Sequence, residues 1–155
     1  MTTDPRLAPD DLFLPALLRP GRGVYGLFIR DALAEAGFTD MPGNGGYVLG
    51  LVDPDGAPLS DVIADLGVSK QTAKELVDTL VVRGYLQRTA DPQDGRRVVL
   101  TLTERGRAAS ATVFATAQKV NARLLAIVGA ERMAHTQETL EALLGLYSSS
   151  HVSDE

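Results

Sequence analysis

The sequence predicts a mainly α-helical chain with one small β-hairpin, and three observations carry that reading. Apolar residues recur at helical spacing through most of the chain, with Gly or Pro between the periodic stretches. Residues 85–102 break this rhythm, because two short alternating runs there flank the turn-forming Asp91-Pro92-Gln93-Asp94-Gly95. At 155 residues, 45% hydrophobic and 23% charged, the chain has the makeup of one globular domain with a core of its own.

Residues 24–38 are the first expected helix, on Val24, Phe28, Ala32 and Ala36 with Leu27, Ile29 and Leu33 alongside, and Pro20 is expected at an early position of it. Residues 47–52 are a short second helix with an irregular start. Before it, Gly43-Asn44-Gly45-Gly46 reads as a flexible connection, since no strand precedes it and no Gly-Lys-Ser/Thr follows to cradle a phosphate. Pro58 opens a third helix over 59–66, with Val62, Ile63 and Leu66 on one face and Gly67 as its stop. Ser69 is a natural N-cap for a fourth, in which Ala73, Leu76, Val77, Leu80 and Val81 keep a 3.6-residue period until Gly84. Two helices joined through a tight glycine-containing turn form a helix-turn-helix, whose second helix is built to enter a major groove. The strands expected at 85–89 and 97–102 then make a wing with a polar, basic tip.

Thr103 caps a fifth helix, with Glu104 in the first turn where negative charge suits the helix dipole. No Gly or Pro interrupts 108–128, and Val113, Ala117, Val120, Leu124 and Ile127 stripe a helix of ~25 residues and ~38 Å. That length exceeds what a small domain's own core covers. Gly129 breaks it, and Met133, Leu140, Leu143, Leu144 and Tyr147 stripe a last helix. Both stripes need a partner, so the terminal helices of two copies are expected to pack as a homodimer.

Composition narrows the function classes. No stretch approaches the ~18 to 20 apolar residues of a membrane span, and residues 1–11 lack the pattern of a secretory signal, so a soluble cytoplasmic protein without a membrane partner is expected. With no cysteine, and only His135 and His151, neither a disulfide nor a metal site is expected, and no cofactor. Ser148, Ser149, Ser150, His151 and Asp154 have the residue types of a hydrolytic triad, but they crowd into a polar C-terminal tail that does not preorganise, so no catalytic residue is assigned. The net charge of −5 argues at first against nucleic acid. Its distribution argues the other way: residues 69–107 hold eight basic and five acidic residues, a net +3, which leaves −8 elsewhere. A positive segment on an acidic molecule orients binding. A winged module that binds protein instead of DNA is the rival reading.

Residues 59–106 resemble the MarR family (multiple antibiotic resistance regulators), most specifically in DPQDGRRVVLTLTERG over 91–106. That family carries an Asp-Pro-x-Asp-x-Arg wing followed by a Leu-Thr-x-x-Gly helix start, matched here by Asp91, Pro92, Asp94, Arg96, Leu102, Thr103 and Gly106. The resemblance implies a winged helix-turn-helix with N- and C-terminal helices forming a dimerisation region. Residues 1–155 would be one domain, with 12–52 and 103–148 as dimerisation helices, 53–102 as the winged helix-turn-helix and 149–155 as tail. It implies a ligand-responsive regulator of transcription, a repressor in the commoner case, bound as a homodimer to a pseudo-palindromic site on double-stranded DNA.

Within that frame Arg96 is long enough to enter a minor groove, with Asp94 placed to hold it. Ser69, Lys70, Gln71, Thr72 and Lys74 project from the first turns of the recognition helix. Gln71 suits adenine, Lys70 or Lys74 guanine or phosphate, and the hydroxyls of Ser69 and Thr72 phosphate. Which of them reads a base stays open. Arg83, Arg88 and Arg97 are either phosphate contacts or ion-pair partners. The resemblance also places a small-molecule effector between the dimerisation helices and the DNA-binding lobe, near Tyr25, Phe28, Tyr47 and Leu51, residues equally suited to core packing. Without cysteine, such an effector acts non-covalently.

Overall fold

The computed structural model describes residues 14–150, with side chains described as far as residue 146; the tail at 149–155, with the candidate residues His151 and Asp154, and the span 1–13 fall wholly or largely outside it. Among the described residues are six helices and three strands: α1 (Leu14–Glu35), α2 (Gly45–Leu51), β1 (Ala57–Pro58), α3 (Leu59–Asp65), α4 (Lys70–Val82), β2 (Leu86–Ala90), β3 (Val98–Leu102), α5 (Glu104–Val128) and α6 (Ala130–Ser150). They divide into two compact units, Met1–Ala117 and Gln118–Glu155, and α5 runs through the boundary.

In the first unit an antiparallel sheet of order β1-β3-β2 pairs Leu86 with Leu102, Ala90 with Val98, and Ala57 with Leu100. Its inward side chains, Leu86, Leu100 and Leu102, join Val62 and Leu66 of the α3 region, Ala73, Val77 and Leu80 of α4, and Ala109 and Val113 of α5 in one core. Tyr85 and the α2 residues Val48 and Leu49 complete it, all fully buried. Of the five apolar positions that predict α4, Ala73, Val77 and Leu80 are buried, and Leu76 and Val81 are half-buried against the same core. Positive φ falls on the glycines that end the helices: Gly37 after α1, Gly67 after α3, Gly84 after α4 and Gly129 after α5. At Gly84 the Tyr85 N–H donates to the Leu80 carbonyl (2.9 Å) and the Gly84 N–H to Val81 (3.0 Å), the paired bonds of a Schellman end.

Three expectations are corrected. Among the described residues helix α1 already runs from Leu14, well before Val24, and Pro20 lies inside it. Interior proline removes one backbone bond at a cost of ~3 kcal/mol. The helix runs on through Pro20, flanked by Leu17, Leu18 and Arg19, which are good helix formers. It also stops before Phe38, at Gly37. Gly45 and Gly46, read as flexible, are the buried first turn of α2. A Cβ on Gly46 would meet Ile29, Leu33 and Val113 within 3.0 to 3.4 Å, so the glycine permits close helix packing. Strand β1 was not foreseen, since two residues, one of them proline, show no alternation.

The second unit holds the end of α5, Gly129 and α6. None of its described side chains is buried, and Leu124, Leu125, Ile127, Leu140, Leu143, Leu144 and Leu146 are exposed. Among the described residues no helix is long and apolar enough to cross a membrane.

Candidate nucleic-acid interface

The start of α4 is set by its cap. Ser69 Oγ accepts the Thr72 N–H (3.1 Å) and shares a hydrogen bond with Thr72 Oγ1 (2.8 Å). With Ala73, Val77 and Leu80 facing the core, Lys70, Gln71, Thr72 and Lys74 are exposed. Gln71 donates to Glu75 one turn on (3.0 Å), while neither lysine is paired with another described residue.

The wing tip is shaped by two aspartates. Asp91 Oδ1 accepts the Gln93 N–H (2.8 Å), and Asp94 Oδ1 accepts the Arg96 N–H (3.1 Å). The Asp94 carbonyl then takes the Arg97 N–H (2.9 Å), and the Asp91 N–H closes on the Arg97 carbonyl (3.0 Å). Asp94 therefore holds the backbone of Arg96 and not its guanidinium, which extends from an exposed turn. Arg97 and Lys70 line one apolar cleft of about 310 Å³ with Pro58, Leu59 and Ile63, so the base of the wing and the start of the recognition helix are brought together. Arg88 instead pairs with Asp78 of α4, tying strand to helix.

A larger cavity, of about 870 Å³, opens among α1, α2 and the segment between them, in the first unit. Tyr25, Tyr47 and Leu51 line it; Phe28 does not. Arg19, Arg22 and Arg30 also reach it, and the Arg22 guanidinium lies 4.1 Å from the centre of the Tyr47 ring.

Sequence reasoning missed a cluster behind the helix-turn-helix. Asp40, in the segment after α1, accepts from Arg105 Nη2 (2.7 Å) and Nη1 (3.2 Å) and from the Tyr85 hydroxyl, and its carbonyl accepts from Arg83. The Arg105 guanidinium stacks 4.2 Å from the Tyr85 ring centre. The Tyr85 hydrogen bond and then Arg105 hold the Asp40 carboxyl below its usual range. Burial, then the bond to Asp40, pushes the Tyr85 phenol up to about 12. These partners lie 43 to 65 positions apart, and no local pattern marks them.

Residues 39–97 match the sequence model of the MarR family. Among curated proteins none matches. Solved structures share the fold across nearly the whole chain. A transcriptional regulator (MarR family) from Rhodococcus sp. RHA1 is 24% identical with a TM-score of 0.67, covering 88% of this chain and 96% of its own. FabT from Streptococcus pneumoniae, solved in complex with DNA, is 20% identical (TM-score 0.68; 88% and 96% covered). CouR from Rhodococcus jostii RHA1, bound to p-coumaroyl-CoA, is 23% identical (TM-score 0.67; 85% and 92%). The family-model match covers α4 and most of the wing, and over nearly the whole chain the fold is similar to that of solved MarR-family regulators.

Proposed function

We propose that the protein is a DNA-binding regulator of transcription, a cytoplasmic homodimer that represses from an inverted-repeat site and releases it when a small molecule fills the larger cavity. The observation that carries this reading is the shared cleft of Lys70 and Arg97, which sets the polar start of α4 beside a wing whose Arg96 side chain has no partner among the described residues. Residues 53–102 would read DNA, and 12–52 with 103–148 would form the dimer. Two copies would present their recognition helices to successive major grooves about one turn, ~34 Å, apart, with Arg96 in the flanking minor grooves. Gln71, Lys70 and Lys74 supply base or phosphate contacts, while Ser69 and Thr72 offer hydroxyls to phosphate, and Arg97 neutralises phosphate from the wing base. Arg88 acts at one remove, by fixing β2 to α4 through Asp78.

Support for the effector comes from the cavity itself. Arg30 is paired with Asp31, which also lines the cavity (3.6 Å), so Arg19 and Arg22 leave the walls net positive and, with Tyr47 and Leu51 to pack apolar faces, favour an anionic, planar molecule beside Tyr25. Phe28, outside the cavity, contributes to α1 packing or to the dimer. The reading is one of binding without turnover.

Selection of bound duplexes from random-sequence DNA, followed by fluorescence anisotropy, tests the proposal. Arg96→Ala should weaken the selected duplex about tenfold or more while leaving the melting temperature unchanged. A wild-type protein that ignores every duplex at low salt, or an Arg96→Ala variant of full affinity, sinks it.

A further inference from the structure

The segment that walls the larger cavity also holds the DNA-binding elements. Phe38, Thr39, Met41, Pro42, Gly43 and Asn44 all line the cavity. Asp40 alone in this run does not, and its polar atoms are taken up elsewhere. Its carbonyl receives Arg83, the C-cap of the recognition helix; its carboxylate receives Tyr85, the residue before β2, and both terminal nitrogens of Arg105 in the first turn of α5. Arg105 closes the ring by donating to the Arg83 carbonyl. Next to Asp40, the Phe38 ring packs on the Tyr85 ring at 6.1 Å between centres. Helix, strand and following helix are thus each fastened to one residue whose neighbours on both sides face the cavity.

We infer that Asp40 is a positioning residue that sets the recognition helix and wing according to the state of the cavity wall, and so couples occupancy of the cavity to the DNA-binding surface. Hydrogen bonds weaken steeply with distance and angle, and close-packed interiors pass on displacement instead of absorbing it. A ligand that displaces the wall therefore either drags the end of α4 and the root of the wing with it or breaks the clamp. The DNA half of this inference rests on the function proposed above; the coupling does not.

A cavity-filling variant tests the coupling without DNA or effector. Gly50 lines the cavity, and nothing lies within 4 Å of where its Cβ would sit, so Gly50→Phe adds a ring at the cavity wall with no clash at its first atom. Hydrogen–deuterium exchange is measured on the full chain as wild type, Gly50→Phe, Asp40→Asn and the double variant, with Arg105→Gln as the second cut in the clamp should Asp40→Asn fail to fold. Gly50→Phe is expected to alter exchange several-fold over 38–44 in every background, and over 80–90 only where the clamp is intact. Propagation that survives cutting the clamp, or none in the otherwise wild-type protein, overturns the inference. For a duplex selected by the wild type, Asp40→Asn should weaken binding about tenfold with an unchanged salt slope, because no phosphate contact is lost. If the wild type selects no duplex, the proposed function fails, and the exchange measurement alone decides the clamp.

Discussion

Gly106, in the first turn of α5, is held so close to the chain before β2 that a Cβ there would lie 1.9 Å from the Tyr85 carbonyl oxygen. Backbone cannot yield as a flexible side chain does, so Gly106→Ala should cost about 3 kcal/mol in chemical denaturation, whereas Gly21→Ala, inside α1 with nothing within 4 Å, should stabilise by about 0.5 to 1 kcal/mol. The same neighbourhood sets a pH response. Because the folded Tyr85 titrates near 12 and the unfolded phenol near 10, its contribution is fully present below about pH 10 and is lost as pH rises towards 12. Denaturation midpoints should fall across that window, and Tyr85→Phe should remove the part of the fall that Tyr85 causes. Gly106 was legible as part of a motif. Its physical reason was not, because the partner carbonyl lies 21 positions back and becomes visible only when α5 is folded against β2. Asp40 is the extreme case, an isolated acidic residue among turn formers whose partners sit on three other elements.

Among the elements, those with a local cause were read correctly from sequence. Helix α4 carries its own cap, period and stop, and the wing carries its turn, so α4 matched within a residue or two and the strands to within about a residue. What failed was decided at longer range: the α1 start, where helix formers outweigh an internal proline, and the α2 glycines, which looked loose in one dimension and are packed in three. The Ser69 cap gives a prediction at this scale. Ser69→Ala should destabilise the protein by about 1 kcal/mol, whereas Ser69→Asp, which also caps, should keep the stability and weaken DNA binding by placing negative charge beside phosphate. Thermal unfolding paired with anisotropy separates the two effects.

For the molecule as a whole, the exposed leucines of the second unit are the main unanswered demand. Leu144 and Ile127 are 71% and 80% exposed in the single chain. Burying a side chain of this size gains about 1.5 to 3 kcal/mol, so a second copy is the natural cover. Sedimentation should find a dimer for the wild type and a monomer for the Ile127→Glu/Leu144→Glu double variant, with DNA affinity falling at least a hundredfold as the paired half-sites are lost. Affinity of the dimer should drop steeply from 50 to 200 mM salt, which a net charge of −5 does not suggest until the local +3 of residues 69–107 is considered. Finally, the recognition helix is bracketed by left-handed glycines and anchored by Ala73, Val77 and Leu80, while Gln71 and Lys74 make no hydrogen bond or ion pair outside their own helix among the described residues. Under the proposed function, address and architecture are then written in separate letters, and exchanging the outward positions should change the selected duplex without loosening the scaffold that displays them.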